Sequence, residues 1–246
     1  VTKIALITGA SGGLGQALAK KLLSEQWGLI LVGRDAARLN AAYGVAHTQI
    51  VADCTTADGA KQIFEQLQSA NLAPTALAHC VGNIKLGALH RMQAADFMDC
   101  MQANLFSAFY TLAAFTQHLK QAQLAGSAVF VSSAAAQIGT PNHEAVAAAK
   151  AGLEGLVRSA AATYASASIR VNAVAPGILD TPAAAKLLSS ELMREVAAKQ
   201  YPIAGIGAPS EVADLMVWLL SSAAARVTGQ VWSIDGGFAS IRPLVR

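Results

Sequence analysis

The residues able to do chemistry begin with a glycine-rich run, Thr8-Gly9-Ala10-Ser11-Gly12-Gly13-Leu14-Gly15, directly behind the apolar stretch Ile4-Ala5-Leu6-Ile7. A strand that ends in a glycine turn and opens into a helix presents unpaired backbone N–H groups and the positive end of a helix dipole. Together these hold phosphate. Glycine serves there because the first turn needs φ > 0 and because the backbone must approach a pyrophosphate closely. Gly9, Ser11, Gly13, Leu14 and Gly15 are therefore candidate pyrophosphate contacts. An ordinary turn between strand and helix is the alternative at this point.

The second apolar run ends Leu31-Val32-Gly33-Arg34-Asp35. A carboxylate at this edge would hold the ribose 2′-hydroxyl of NAD, whereas an arginine accommodates the 2′-phosphate of NADP. Gly33 offers no carboxylate and Arg34 follows it, with Arg38 one turn later, which favours NADP over NAD. Asp35 is a rival, and it also suits the N-cap of the next helix. The third run ends Val51-Ala52-Asp53-Cys54, where Asp53 could accept the adenine amino group or cap a helix, with Cys54 beside it. The fourth ends His79-Cys80-Val81-Gly82-Asn83. Gly82 lets the backbone lie against a cofactor, and His79 reads as a hydrogen-bonded core histidine.

These residues need a scaffold that brings the ends of several strands together. Strand-like runs fall near 3–7, 28–33, 47–52, 75–81, 127–133, 169–175 and 230–234, and helix-like runs near 13–26, 35–43, 58–70, 94–120, 143–167 and 209–222. Continuous apolar strands alternating with helices predict a parallel sheet covered on both faces. No linker or repeat interrupts the alternation, so the expectation is one doubly wound α/β domain over residues 1–246.

Composition narrows the function classes. Apolar residues make up 54% of the 246 and charged residues 13%, which suits a compact body with surface buried between subunits. No apolar run reaches the ~18 residues that span a bilayer, and the N-terminus has no signal-peptide pattern. Cys54, Cys80 and Cys100 are odd in number and widely spaced, as expected of reduced thiols in a cytoplasmic protein. The histidines lack metal-ligand spacing, and a net charge of +3 without basic runs argues against nucleic acid as a partner. A small-molecule substrate is the expected ligand beside the cofactor.

The order of motifs then becomes specific. Thr8-Gly9-x-x-x-Gly13-x-Gly15 resembles the cofactor loop of the short-chain dehydrogenase/reductase family. The likeness continues through Asn104, Ser132-Ser133, Lys150-Ala151-Gly152 and Ile169-Arg170-Val171-Asn172-Ala173-Val174-Ala175-Pro176-Gly177, and ends with Gly229-Gln230 and Asp235-Gly236-Gly237. It spans essentially the whole chain and is similar to reductases of the 3-oxoacyl-acyl-carrier-protein type. The resemblance implies a seven-stranded Rossmann sheet, assembly into homodimers or homotetramers, and hydride transfer between a nicotinamide and a carbonyl or alcohol.

The resemblance also implies catalytic roles. Asn104 matches the family's Asn that interrupts a long helix and feeds a water relay. Ser133 matches the Ser that hydrogen-bonds the substrate oxygen, and Lys150 the Lys that binds the nicotinamide ribose and lowers the pKa of a tyrosine. That tyrosine, four residues before the Lys, falls on Val146. A second departure is His79-Cys80-Val81-Gly82, where the family usually has Asn-Asn-Ala-Gly. A developing alkoxide must be stabilised and protonated, and valine does neither.

One substitute donor follows from helix geometry. His143 lies seven residues before Lys150, within ~20° of the same helix face and two turns away. Histidine is a competent acid or base near neutrality. The alternative is that His143 merely occupies the first turn beside Pro141-Asn142. Further along, Pro176, Gly177 and Thr181 match the family segment whose Thr bonds the nicotinamide carboxamide, and residues 178–203 match its substrate lid. The small residues from 145 to 165 match a helix that pairs across a dimer, with an intrachain core role as the alternative. Two functions remain open. One is an NADP(H)-dependent oxidoreductase with an atypical proton donor, acting on a carbonyl, an alcohol or a conjugated C=C bond. The other is a catalytically silent cofactor-binding subunit, sensor or scaffold.

Overall fold

Alternation within the first strand sets up the two faces of the sheet. Ala5 and Ile7 of β1 (Ile4–Thr8) pack into one buried cluster, and Leu6 packs into the other. This is the period-two rule for side chains on a strand, with both faces apolar because both are covered. The computed structural model describes residues 3–242. Residues 1–2 and 243–246 of the expected domain lie outside the described residues.

The strands β1, β2 (Gly28–Gly33), β3 (Thr48–Val51), β4 (Ala76–His79), β5 (Gly126–Val131), β6 (Ile169–Pro176) and β7 (Val231–Ile234) form one parallel sheet in the order β3-β2-β1-β4-β5-β6-β7. One face carries α1 (Gly13–Ser24), α2 (Ala36–Tyr43) and α8 (Pro209–Leu220) over a cluster that includes Leu18, Leu22, Leu39 and Met216. The other face carries α3 (Ala57–Ser69), α5 (Ser107–Gln121) and α6 (Glu144–Tyr164) over Ile63, Phe115, Phe130 and Val157. This is the doubly wound Rossmann architecture. The chain winds outward one way through β2 and β3 and the other way from β4. The carboxyl ends of β1 and β4 therefore border the crevice where such sheets bind ligands.

Some expected boundaries shift, and each shift has a local cause. The run near 94–120 is not one helix. It divides into α4 (Ala94–Met101) and α5, joined by a widened π-helical segment, Gln102–Phe106. Widening a turn frees backbone carbonyls, and the Asn104 side chain takes one, donating from Nδ2 to the Cys100 carbonyl at 2.9 Å. The run near 143–167 is helical from Glu144 to Tyr164 and finishes in a 3-10 turn, Ala165–Ala167. The fourth and fifth strands leave the ladder at His79 and Val131, because the residues beyond them turn to line the crevice. Between β6 and α8 the chain forms a 3-10 turn, Pro182–Ala184, and a short helix α7 (Glu191–Ala198), capped by Ser190 Oγ accepting from the Met193 N–H. No helix among the described residues is long and apolar enough to cross a membrane.

Candidate active site

The loop after β1 is shaped by backbone proximity. Gly9 has φ +69°, and a Cβ there would stand 2.8 Å from the Cys80 carbonyl at the end of β4. Only glycine meets both demands. Tyr43 at the end of α2 donates its hydroxyl to the Ala10 carbonyl at 2.7 Å, tying the loop to the second βα unit. Burial raises the Tyr43 phenol well above its ordinary pKa, so it remains a donor.

The loop forms one wall of a cleft of about 690 Å3 along the carboxyl edge of the sheet. Gly9, Ser11, Gly13, Leu14, Gly15, Arg34, Asp53, Cys54, Gly82, Pro176, Gly177 and Thr181, each expected from the sequence to touch a cofactor, all line it. Asn104, Ser133 and Lys150 line it as well. A cleft of this size and shape, glycine-walled at one end and carrying Arg34 and Arg38 at its exposed rim, fits an elongated dinucleotide.

Two acidic residues take different parts. Asp35 caps α2, its Oδ1 accepting from the Arg38 N–H at 3.1 Å. Asp53 is not the cap of α3; that place belongs to Thr56, whose Oγ1 accepts from the Gly59 N–H at 3.0 Å. Asp53 Oδ1 instead accepts from the N–H and hydroxyl of Thr55, at 2.9 and 2.8 Å, a turn that fixes the carboxylate at the cleft wall.

The deep end of the cleft is polar and nearly closed to solvent. Lys150 is 7% exposed and donates from Nζ to the Val131 carbonyl at 2.7 Å. Burial pulls its pKa down to about 8, opposed in part by the nearby Cys100 and Cys80 sulfurs. Asn104 Nδ2 also donates to the backbone and side-chain oxygens of Asn83, at 3.1 and 3.0 Å. This arrangement turns Asn104 Oδ1 toward Gly82. Asn83 is a contributor that sequence patterns did not single out, and its only signal was its place directly after Gly82.

His79 is buried, as expected. Its Nδ1 meets the Thr8 hydroxyl at 2.8 Å, and its Nε2 meets Ser107 Oγ at 3.0 Å. Ser107 donates its own proton to the Ala103 carbonyl at 2.7 Å. The Ser107 oxygen must therefore accept, which puts the ring proton on Nε2 and leaves Nδ1 to accept from Thr8. Burial, with the Lys150 charge, holds its pKa at about 3. The ring ties β1 and β4 to the first turn of α5.

Val146 is 5% exposed and packs with Cys100 and Ala145 against Leu86, Met92 and Phe97. It lines neither the cleft nor the second cavity described next.

A second, largely apolar cavity of about 550 Å3 adjoins the cleft. The two share Ile84, Ser133, Pro176, Gly177 and Ile178. Leu187, Leu192, Met193 and Val196 from the α7 region supply much of its apolar wall. Tyr201 shapes another part, its hydroxyl accepting from the Ile178 N–H at 2.7 Å. His143 belongs to this cavity rather than to the cleft. It is the N-cap residue of α6, outside the helix proper, and its Nδ1 lies 2.8 Å from the Pro141 carbonyl. A carbonyl only accepts, so Nδ1 carries the proton and Nε2 is the free nitrogen. No group of three or more His, Cys, Asp or Glu among the described residues is placed to hold a metal.

A parallel Rossmann sheet with a glycine loop at its switch point and an adjoining apolar cavity defines a dinucleotide-binding class. The model of the family described as enoyl-(acyl carrier protein) reductase matches residues 9–239, and the chain belongs to the short-chain dehydrogenase/reductase family. It is 32% identical over 246 residues to cis-4-hydroxycyclohexanecarboxylate dehydrogenase of Sinomonas cyclohexanicum, covering 97% of each chain. It is 33% identical over 243 residues to 3-oxoacyl-(acyl-carrier-protein) reductase FabG of Thermotoga maritima, covering 96% of this chain and 97% of that one. Among solved structures it superposes on ligand-free aldohexose dehydrogenase of Thermoplasma acidophilum with a TM-score of 0.90 at 27% identity, covering 100% of this chain and 97% of the other.

Proposed function

We propose that this protein is an NADP(H)-dependent oxidoreductase acting on a carbonyl/alcohol pair or a conjugated C=C bond, with His143 in place of the family's tyrosine as proton donor. The observation that carries the proposal is the position of Ser133, on the wall shared by the polar cleft and the apolar cavity. A reacting oxygen held there would have cofactor-binding groups on one side and room for an apolar body on the other.

Bound NADPH supplies the hydride. The chain's own groups do the rest. The N–H groups from Gly9 to Gly15 hold pyrophosphate, with Ser11, Gly13 and Leu14 between them. Arg34 pairs with the 2′-phosphate, and Asp53, beside Cys54, accepts from the adenine amino group. Lys150 holds the ribose hydroxyls, Gly82 gives the backbone close approach, and Thr181, after Pro176 and Gly177, bonds the carboxamide. Ser133 Oγ donates to the substrate oxygen. His143, fixed by its Pro141 bond, delivers a proton from Nε2 in its doubly protonated form and is left as the neutral ring with its proton on Nδ1. Asn104 holds the relay water beside Lys150.

Residues 178–203 act as the substrate lid. The outward face of α6, with Ala151, Gly152 and Gly155 exposed or partly exposed, and the exposed Phe109 of α5 are the surfaces we assign to a homodimer or homotetramer. Three free cysteines suit a cytoplasmic location. The burial of Val146 among apolar side chains favours one other reading, a silent cofactor-binding subunit.

Measuring NADPH and NADH affinity, then NADPH oxidation across cyclic ketones, 3-oxoacyl thioesters and enones, tests the proposal. Tight NADPH binding with turnover of one class is the expected result. Tight binding with no turnover selects the silent reading.

A further inference from the structure

The region from 178 to 203 carries three cations, and two of them are already satisfied. Arg194 on α7 pairs with Asp180 at 2.5 Å, and Lys199 pairs with Glu195 at 3.7 Å. Lys186, between the 3-10 turn Pro182–Ala184 and α7, makes no ion pair among the described residues, although it lines the apolar cavity. No carboxylate among the described residues lines that cavity. Acidic side chains do line the cleft next door, where Asp35, Asp53 and Asp99 stand. The apolar cavity therefore has an uncompensated positive charge at its exposed rim. The apolar side chains that line it, Leu192, Met193 and Val196, are 71%, 51% and 55% exposed, so a ligand seated there would cover them.

We propose that Lys186 is the recognition site for an anionic group on the substrate, so that the cavity selects an apolar carbonyl or alcohol compound bearing a carboxylate. The oxygen to be reduced sits at Ser133 and the carboxylate at Lys186, with an aliphatic or alicyclic body between them against α7. A neutral substrate of the same shape fills the same apolar wall and leaves the ammonium to water. This assignment rests on the oxidoreductase reading of the same cavity.

The test compares 4-oxocyclohexanecarboxylate with its methyl ester as substrates of the wild-type protein with NADPH, and then of Lys186→Ala and Lys186→Glu. The wild type should favour the acid over the ester by about fivefold or more in kcat/KM, through KM. The preference should collapse to near unity in Lys186→Ala, invert in Lys186→Glu, and shrink with ionic strength. Equal use of acid and ester by the wild type, or an acid preference retained in Lys186→Ala, overturns the assignment. Calorimetry of cyclohexanecarboxylate and cyclohexanecarboxamide binding to the NADP-loaded protein reads the same preference without turnover. If neither ketone, and no member of the wider ketone, thioester and enone panel, is reduced but the carboxylate binds more tightly in a Lys186-dependent way, the oxidoreductase reading fails and the anion site stands. Equal binding of both, or binding of neither, removes the anion site.

Discussion

Asn104 and Lys150 converge beneath Gly82. A Cβ added to Gly82 would stand 2.7 Å from Asn104 Oδ1 and 3.5 Å from Lys150 Nζ. The first contact is closer than real Cβ atoms tolerate, and the Asn104 amide cannot swing away freely because Nδ2 is held by Asn83 and the Cys100 carbonyl. Gly82→Ala should therefore displace the pair and lower turnover by about 10- to 100-fold. A melting temperature close to wild type would assign the loss to the site. Unchanged turnover would show that the convergence has no catalytic use.

The lowered pKa of Lys150 gives a signed pH dependence. The ammonium needed for the ribose hydroxyls is present below about 8 and is lost as pH rises through that value. The kcat/KM profile should fall on the alkaline side with a midpoint near pH 8. In Lys150→Arg the limb should vanish, because arginine stays charged. A wild-type profile that stays flat to about pH 9.5, well past the Lys150 midpoint, contradicts this role.

Arg34 lies on the exposed cleft rim beside Arg38, and the rival Asp35 is engaged in capping α2. Arg34→Ala should weaken NADPH binding by about 10- to 100-fold while leaving NADH affinity nearly unchanged, as expected for a lost charge-assisted contact. Fluorescence titration with both cofactors checks this. An equal fall in the two affinities would place Arg34 outside the 2′-phosphate site.

His79 ties the fold to the acid side of the pH scale. Its folded pKa of about 3 lies below the ordinary histidine value of 6.5, so the unfolded chain binds the extra proton between those limits. Stability is fully present above about pH 6.5 and is lost as pH falls, at about 1.4 kcal/mol per pH unit for this one group. Urea unfolding at about pH 6.5 and about pH 5 should show about 1.6 kcal/mol more loss in wild type than in His79→Asn. Identical losses would mean that the ring takes up its proton in the Thr8–Ser107 pocket as readily as in the unfolded chain.

Much of this site is written in local patterns. Gly9 to Gly15 behind Ile4–Ile7 announces its turn, because a positive φ and close backbone approach leave few residue choices. Lys150 and Asn104 were legible through their spacing within a recognisable family order. Asp53 was ambiguous because a carboxylate before a helix suits either a cap or a turn. Thr56, three residues before Gly59, takes the cap, and the hydroxyl of Thr55 draws Asp53 into the turn. The divided helix at Gln102–Phe106 was implied only by the resemblance at Asn104, because apolar spacing by itself continues through the widened turn. Helical spacing carried His143 toward Lys150, but α6 begins one residue later, at Glu144, and the turn at Pro141–Asn142 sends the ring to the neighbouring cavity. The network of Thr8, His79 and Ser107 joins residues 71 and 28 positions apart, beyond the reach of any local pattern.

The most direct test follows the label of NADPH deuterated at the hydride-donating position of nicotinamide C4. The wild-type protein should place deuterium on carbon in the reduced product of at least one ketone or enone. His143→Ala should slow that transfer by about 10²–10⁴-fold with NADPH affinity retained. Tight NADPH binding with no deuterium in any product would contradict the account and leave a cofactor-binding protein without oxidoreductase chemistry.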